Sequence, residues 1–181
     1  MIRRIHVLAF LAALALPFAP LPVMAPPVAA AEKASDAETV IRAIYAQYSK
    51  DGWPEDAEKK NFSPSLFAKW DEVQQAADAA NEVGVDFDVF LDAQDTDTVT
   101  DLTTRFTPDG ADKGKVEATF TAFDSQTTVT YDMVKTADGW KIDNISWGPD
   151  RDDLRKTLAA IREDQKSGGS GGSGGDDEDA D

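Results

Sequence analysis

The chain has no cysteine, and its 181 residues include one histidine, His6. Without cysteine there is no disulfide, no thiolate nucleophile and no lipid-bearing Cys. His6 lies in an N-terminal apolar stretch that reads as a removable signal, so the mature chain is expected to hold neither residue type. Ser-His-Asp and Cys-His catalysis are then excluded, as are zinc or copper sites built from N and S ligands. A phosphate-cradling glycine motif is also missing. Gly168–Gly175 alternate with Ser and lack the following Lys and helix. Positive charge is scarce: 18 Lys and Arg stand against 34 acids, for a net charge of −16. Beyond the N-terminus no long apolar run occurs.

The N-terminus itself is patterned for export. Arg3 and Arg4 precede an apolar run from Ile5 to Leu16 that only His6 interrupts. A Pro- and Ala-rich stretch follows and ends in Ala29-Ala30-Ala31, a small-residue cleavage pattern. The run is too short to span a hydrocarbon core of roughly 30 Å, and Pro17, Pro20 and Pro22 would break a longer helix. The expected organisation is a signal peptide over 1–31, one α+β domain over 32–166, a Gly/Ser linker over 167–175 and an acidic disordered tail over 176–181. A periplasmic or secreted protein with no stable membrane anchor follows. Loss of Arg3 and Arg4 takes the charge from −16 to −18, and the five acids of the tail leave −13 on the folded part. That field repels phosphate backbones, so nucleic acid is disfavoured as a partner, while cations, basic proteins or plain solvation remain open.

Periodicity divides the domain. Ser35 with Glu38 has the form of a capping box before a helix that carries Val40, Ile41, Ile44, Tyr45 and Tyr48 on one stripe and stops at Gly52. A second helix is expected from Ser63, with Pro64 in its first position and Phe62 and Phe67 spaced as a hydrophobic staple. Leu66, Trp70, Val73 and Ala77 form its stripe, and Gly84 closes it. Residues 85–95 lose any period and read as an ordered connection with one short helical turn. Period two then gives strands at Val99–Thr107, around Val116–Ala122, around Val129–Met133 and at Trp140–Trp147. Their short spacing favours an antiparallel meander. Asp152 or Asp153 starts a last helix with Leu154, Leu158 and Ile161 on one side. The fold class is therefore α+β: two N-terminal helices, a curved antiparallel sheet of about four strands and a C-terminal helix.

Three features carry a family resemblance: the helix with Tyr45 and Tyr48, the segment Asp86-Phe87-Asp88 with Phe90-Leu91-Asp92-Ala93-Gln94-Asp95, and the ending Asp138-Gly139-Trp140-Lys141-Ile142-Asp143-Asn144-Ile145. Over roughly residues 36–160 the sequence resembles the domain of unknown function 3828 family, within the nuclear transport factor 2-like superfamily. The resemblance implies a cone-shaped fold with a pocket between sheet and helices. It implies little about activity, because that superfamily hosts both enzymes and non-catalytic proteins.

Carboxylates, Tyr, Lys and hydroxyls are the chemistry that remains. Asp86, Asp88, Asp92 and Asp95 are the first candidates. Converging, they would raise one pKa and supply an acid or base, or would hold a hard cation through oxygens. Their spacing does not match a helix-loop-helix calcium loop, and the simpler role is to cap turns. Arg105 is a lone base that a loop aspartate would turn into a small-anion site or a surface ion pair. Trp53, in a Gly-Trp-Pro linker, and Trp147, beside Gly148-Pro149, stand at edges where ligands meet aromatics, whereas Trp70 and Trp140 read as core. The ligand-binding candidates are thus Asp86, Asp88, Asp95, Arg105, Trp53 and Trp147. No catalytic set, metal or cofactor is assigned. The reading is a non-catalytic binding or interaction module for a small molecule or protein. Alternatives are an isomerase- or dehydratase-type pocket enzyme using a raised-pKa Asp, and an inhibitor or immunity-like protein for a basic partner.

Overall fold

The computed structural model describes residues 28–49 and 52–168. Most of the stretch read as a signal, and the linker and tail from residue 169, lie outside the described residues. In chain order the elements are α1 (Val28–Tyr45), α2 (Ala57–Asn61), α3 (Pro64–Ala80), β1 (Thr100–Pro108), β2 (Lys113–Ala122), β3 (Ser125–Thr136), β4 (Gly139–Ser146) and α4 (Leu154–Gly168). The strands form one antiparallel meander in the order β1-β2-β3-β4, and the class is α+β as the periodicity indicates.

Alternation decides which face of the sheet is covered. Val116, Ala118, Phe120, Val129, Tyr131 and Met133 point inward and are buried. The outward residues are polar and pair by chemistry across strands, Arg105 opposite Glu117, Thr119 opposite Thr128, and Lys115 ion-paired with Asp132. In β4 the alternation breaks once. A bulge at Asp143 shifts the register between Met133–Ile142 and Asp132–Asn144, so Ile142 and Ile145 both face the core. Asp143 then turns to Ser63, whose Oγ donates to it at 2.6 Å, and to Arg155 of α4 at 2.7 Å.

α1 lies on the concave face with Ala37, Ile41, Ile44 and Tyr45 buried, and Tyr48, just past its end, is buried with them. Two details differ from the expected capping box. The helix already runs from Val28, so Ser35 is interior to it, and the Glu38 carboxylate reaches across to accept from Thr104 Oγ1 of β1 at 2.9 Å. A tertiary partner takes the carboxylate that a capping box would have turned back. The short α2 was not signalled by any period. Its only fully buried residue is Ala57, which leaves too little apolar surface to pattern five residues.

α3 begins as expected. The Ser63 Oγ accepts from Leu66 N at 3.1 Å, and Pro64 occupies the first turn. It stops earlier than Gly84 because Asn81 takes a left-handed φ of 55° and its N–H bonds Ala77 and Asp78 carbonyls. Phe62 packs edge-on to Trp70 at 5.8 Å and against Phe90 at 6.1 Å. Its neighbour Ser63 donates a backbone N–H to the Ile142 carbonyl at 2.7 Å, so this turn covers the β4 edge of the sheet. α4 starts where Asp153 Oδ1 accepts from Lys156 N, buries Leu154 and Leu158 against the core and packs on α3.

Candidate functional site

Asp88 organises the stretch in which sequence patterning loses its period. Its Oδ1 accepts from the backbone N–H groups of Phe90 at 2.8 Å and Leu91 at 3.0 Å. Its own N–H donates to the Ala93 carbonyl at 2.7 Å, and Asp92 N donates back to the Asp88 carbonyl at 2.8 Å. The result is a closed turn that drives Val89, Phe90 and Leu91 into the core, none more than 3% exposed. The remaining oxygen, Oδ2, accepts from the Tyr48 hydroxyl at 2.6 Å. Every strong acceptor position used in this geometry thus holds a piece of the fold together.

The other two tyrosines continue the network inward. Tyr45 donates its hydroxyl proton to the Phe90 carbonyl at 2.8 Å, which leaves its oxygen to accept from Tyr131 at 2.7 Å. Tyr45 also packs on Phe120 at 4.7 Å, and Tyr131 stacks on Phe90 at 6.5 Å. Tyr45, Tyr48 and Tyr131 are all the tyrosines of the chain, and each is buried. Burial pushes all three phenols well above their usual range. The Asp88 charge adds to the shift at each, most strongly at Tyr48, while for Tyr45 the hydrogen bond from Tyr131 works against it. On α2, the half-buried Glu58 is also raised, first by desolvation and then by the charges of Asp88 and Asp56, with its own backbone N–H opposing.

The other predicted residues do not join Asp88 in one site. Asp92 ion-pairs with Arg151, whose guanidinium lies 5.0 Å from the Trp147 ring centre and 5.5 Å from that of Phe87. Trp147 meets Phe87 edge-on at 5.2 Å and donates Nε1–H to the Val89 carbonyl at 2.9 Å. Trp147 is therefore a half-buried clasp on the same turn that Asp88 closes, with its one polar atom satisfied. Asp86 and Asp95 are exposed, and Trp53 is 61% exposed. Arg105 stands on the outward face of the sheet opposite Glu117, so it meets none of the loop aspartates. Its surroundings are a shallow cleft of about 400 Å³ walled by threonines and Glu117.

Sequence patterning missed Glu58, Tyr131 and Arg151 as members of these clusters. Tyr131 carries only an ordinary strand alternation. Arg151 and Glu58 reach the turn through tertiary approach, which leaves no local signal. Two further clefts lie elsewhere: about 580 Å³ between the C-terminal ends of α3 and α4, beside Ala79, Val83 and Ile161, and about 390 Å³ beside Thr107, Lys115 and Asp132. Neither has Tyr45, Tyr48 or Asp88 in its wall. Among the described residues no group of three or more His, Asp or Glu is placed to hold a metal ion, and no helix is long and apolar enough to cross a membrane.

No family model matches the chain, and no curated protein matches it. Among solved structures it aligns with a phospholipid-binding protein from Ralstonia solanacearum, in complex with a phospholipid. The alignment has 14% identity and covers 76% of this chain and 68% of that one, with a TM-score of 0.32. Overlap of that size says nothing about what this chain binds.

Proposed function

We propose that this chain is an exported, non-catalytic interaction module built on a nuclear transport factor 2-like scaffold. One observation carries the reading. The inward carboxylate–tyrosine pair, Asp88 and Tyr48, is the arrangement a pocket enzyme would need, and both carboxylate oxygens and the phenol proton are already bonded within the fold. A general acid or base must have a lone pair or proton free for substrate. Asp88 accepts two backbone N–H groups and the Tyr48 hydroxyl, and the Tyr45 and Tyr131 hydroxyls bond each other and the Phe90 carbonyl. The order of helices, meander and closing helix supports the family resemblance over residues 36–160.

Export rests on the N-terminal pattern. Cleavage after Ala31 would remove only the first turn of α1 and leave the buried residues from Ala37 onward in place. The acidic field of the domain favours a basic protein partner over nucleic acid or anionic lipid. Expressing the full chain in a Gram-negative host is expected to yield a periplasmic product beginning near Glu32. Immobilised on a column, that product should retain a partner from periplasmic extract and release it as salt rises. Turnover of an enolisable ketone or a β-hydroxyacyl thioester by the wild type, abolished in Asp88→Asn, would overturn the non-catalytic reading in favour of the isomerase or dehydratase one.

A further inference from the structure

Phe87, Trp147 and Asp92 wall a socket with a cation in it. The two rings meet edge-on at 5.2 Å with 70° between their planes, so they form a corner. The Arg151 guanidinium lies over both, and its Nη1–H donates to Asp92 Oδ1. Two electron-rich ring faces and a carboxylate around one planar cation are the chemistry that recognises arginine. Walls and occupant are held unequally. Both rings pack against the core, and the Trp147 Nε1–H is tied to the carbonyl of buried Val89. Asp92 is fixed through its N–H to the Asp88 carbonyl at 2.8 Å. None of these contacts involves Arg151. Arg151 stands between Gly148, at φ 122°, and the start of α4 at Leu154, in a stretch with neither helix nor strand, and its side chain is 48% exposed. Among the described residues it makes no hydrogen bond or ion pair besides the one to Asp92. An ion pair and cation–π contacts this exposed are weak, so the socket stands preformed around a loosely held occupant.

We propose that this socket is a recognition site for an arginine side chain of the basic protein partner, and that Arg151 is the stand-in which that side chain displaces. The assignment rests on the basic-partner reading above and adds where such a partner anchors. Arg151 itself shows which cation the walls fit. A planar guanidinium lies over two rings while reaching a carboxylate, a geometry that the compact, strongly hydrated ammonium of Lys matches less well. The surroundings favour exchange. Asp86 and Asp150, chain neighbours of Phe87 and Arg151, are exposed and make no ion pair among the described residues. Their field draws a second cation to the rim. Inside an interface that cation is shielded from water, where contacts with the same rings and carboxylate are stronger than those of solvent-exposed Arg151.

The probe is N-acetyl-arginine amide, titrated into the exported chain and followed by the indole signal of Trp147 in magnetic resonance spectra. Wild type should bind it weakly, because Arg151 holds the socket at a high effective concentration. Arg151→Ala should bind it at least about tenfold more tightly, and adding Asp92→Asn should remove that gain. N-acetyl-citrulline amide, of the same shape and without charge, should not compete. No uptake of the arginine probe by Arg151→Ala at about 100 mM, with circular dichroism unchanged, would overturn the proposal, and so would equal binding of the citrulline probe. Arg151→Gln is the second variant. If neither variant folds, Arg151 is holding up the walls and the proposal fails. The probe reads the socket with no partner present. A column that retains nothing from periplasmic extract therefore counts against the basic-partner reading, whereas a socket that ignores the probe counts against this assignment.

Discussion

Asp88 is the residue on which the candidate site turns, and its environment makes a carboxylate serve as a backbone staple. Replacing it by Ala would orphan the Phe90 and Leu91 N–H groups and the Tyr48 hydroxyl together. A loss of about 3 kcal/mol is expected, measured as a lowered urea midpoint. Glu58 supplies a pH test. Its pKa is raised in the folded state, so the folded chain binds more protons than the unfolded chain across the window above the ordinary carboxylate range. Stability from this group is thus lost as pH rises through its folded pKa and regained on acidification. Glu58→Gln should melt higher than wild type at pH 7, and the gap should close as the pH is lowered toward 4.5. A gap that is constant with pH would show that Glu58 is not desolvated.

Among the elements, the clearest strain sits in the β2–β3 hairpin. Its two-residue turn holds Phe123 at φ 51° and Asp124 at φ 57°, where Asn-Gly would be relaxed. Phe123 is 45% exposed, so little packing repays the left-handed backbone, while its N–H donates to Asp97 Oδ2 at 2.6 Å. Replacing Phe123-Asp124 by Asn-Gly should raise the melting temperature by roughly 5 °C. At the start of α3, Ser63→Ala removes both the cap to Leu66 and the donor to Asp143 and should lower stability by about 1–2 kcal/mol. Elements with a clean period were legible in the sequence. The meander, the start of α3 at Ser63–Pro64 and the buried stripe of α4 stand where alternation and capping chemistry place them. What was illegible depends on contacts distant in sequence. Glu38 bonds β1, the Asp143 bulge answers Ser63 and Arg155, and the 85–95 turn is closed by Tyr48 and clasped by Trp147 and Arg151. The capping reading of Asp88 was available from its residue type alone, but its tyrosine partner 40 residues away was not.

For the whole molecule, the excess of acids sets the behaviour. A net charge of −13 on the folded part repels itself, so stability should rise between 10 and 150 mM salt as screening shortens the field to about 8 Å. The central claim is that the carboxylate and hydroxyls of the polar interior fasten the fold. All three tyrosines of the chain belong to that interior, and this makes the claim measurable on unmodified protein. Phenolate absorbance near 295 nm, followed against pH beside circular dichroism, reads their protonation directly. Each phenol is held above its unfolded value of 10.0, so folded protein keeps its protons where unfolded protein releases them, and stability is lost as pH rises past that value. No phenolate should form while the fold persists, and all three should appear together as it unfolds. A tyrosine that titrates reversibly near pH 10 or below, with the fold intact, would contradict the account.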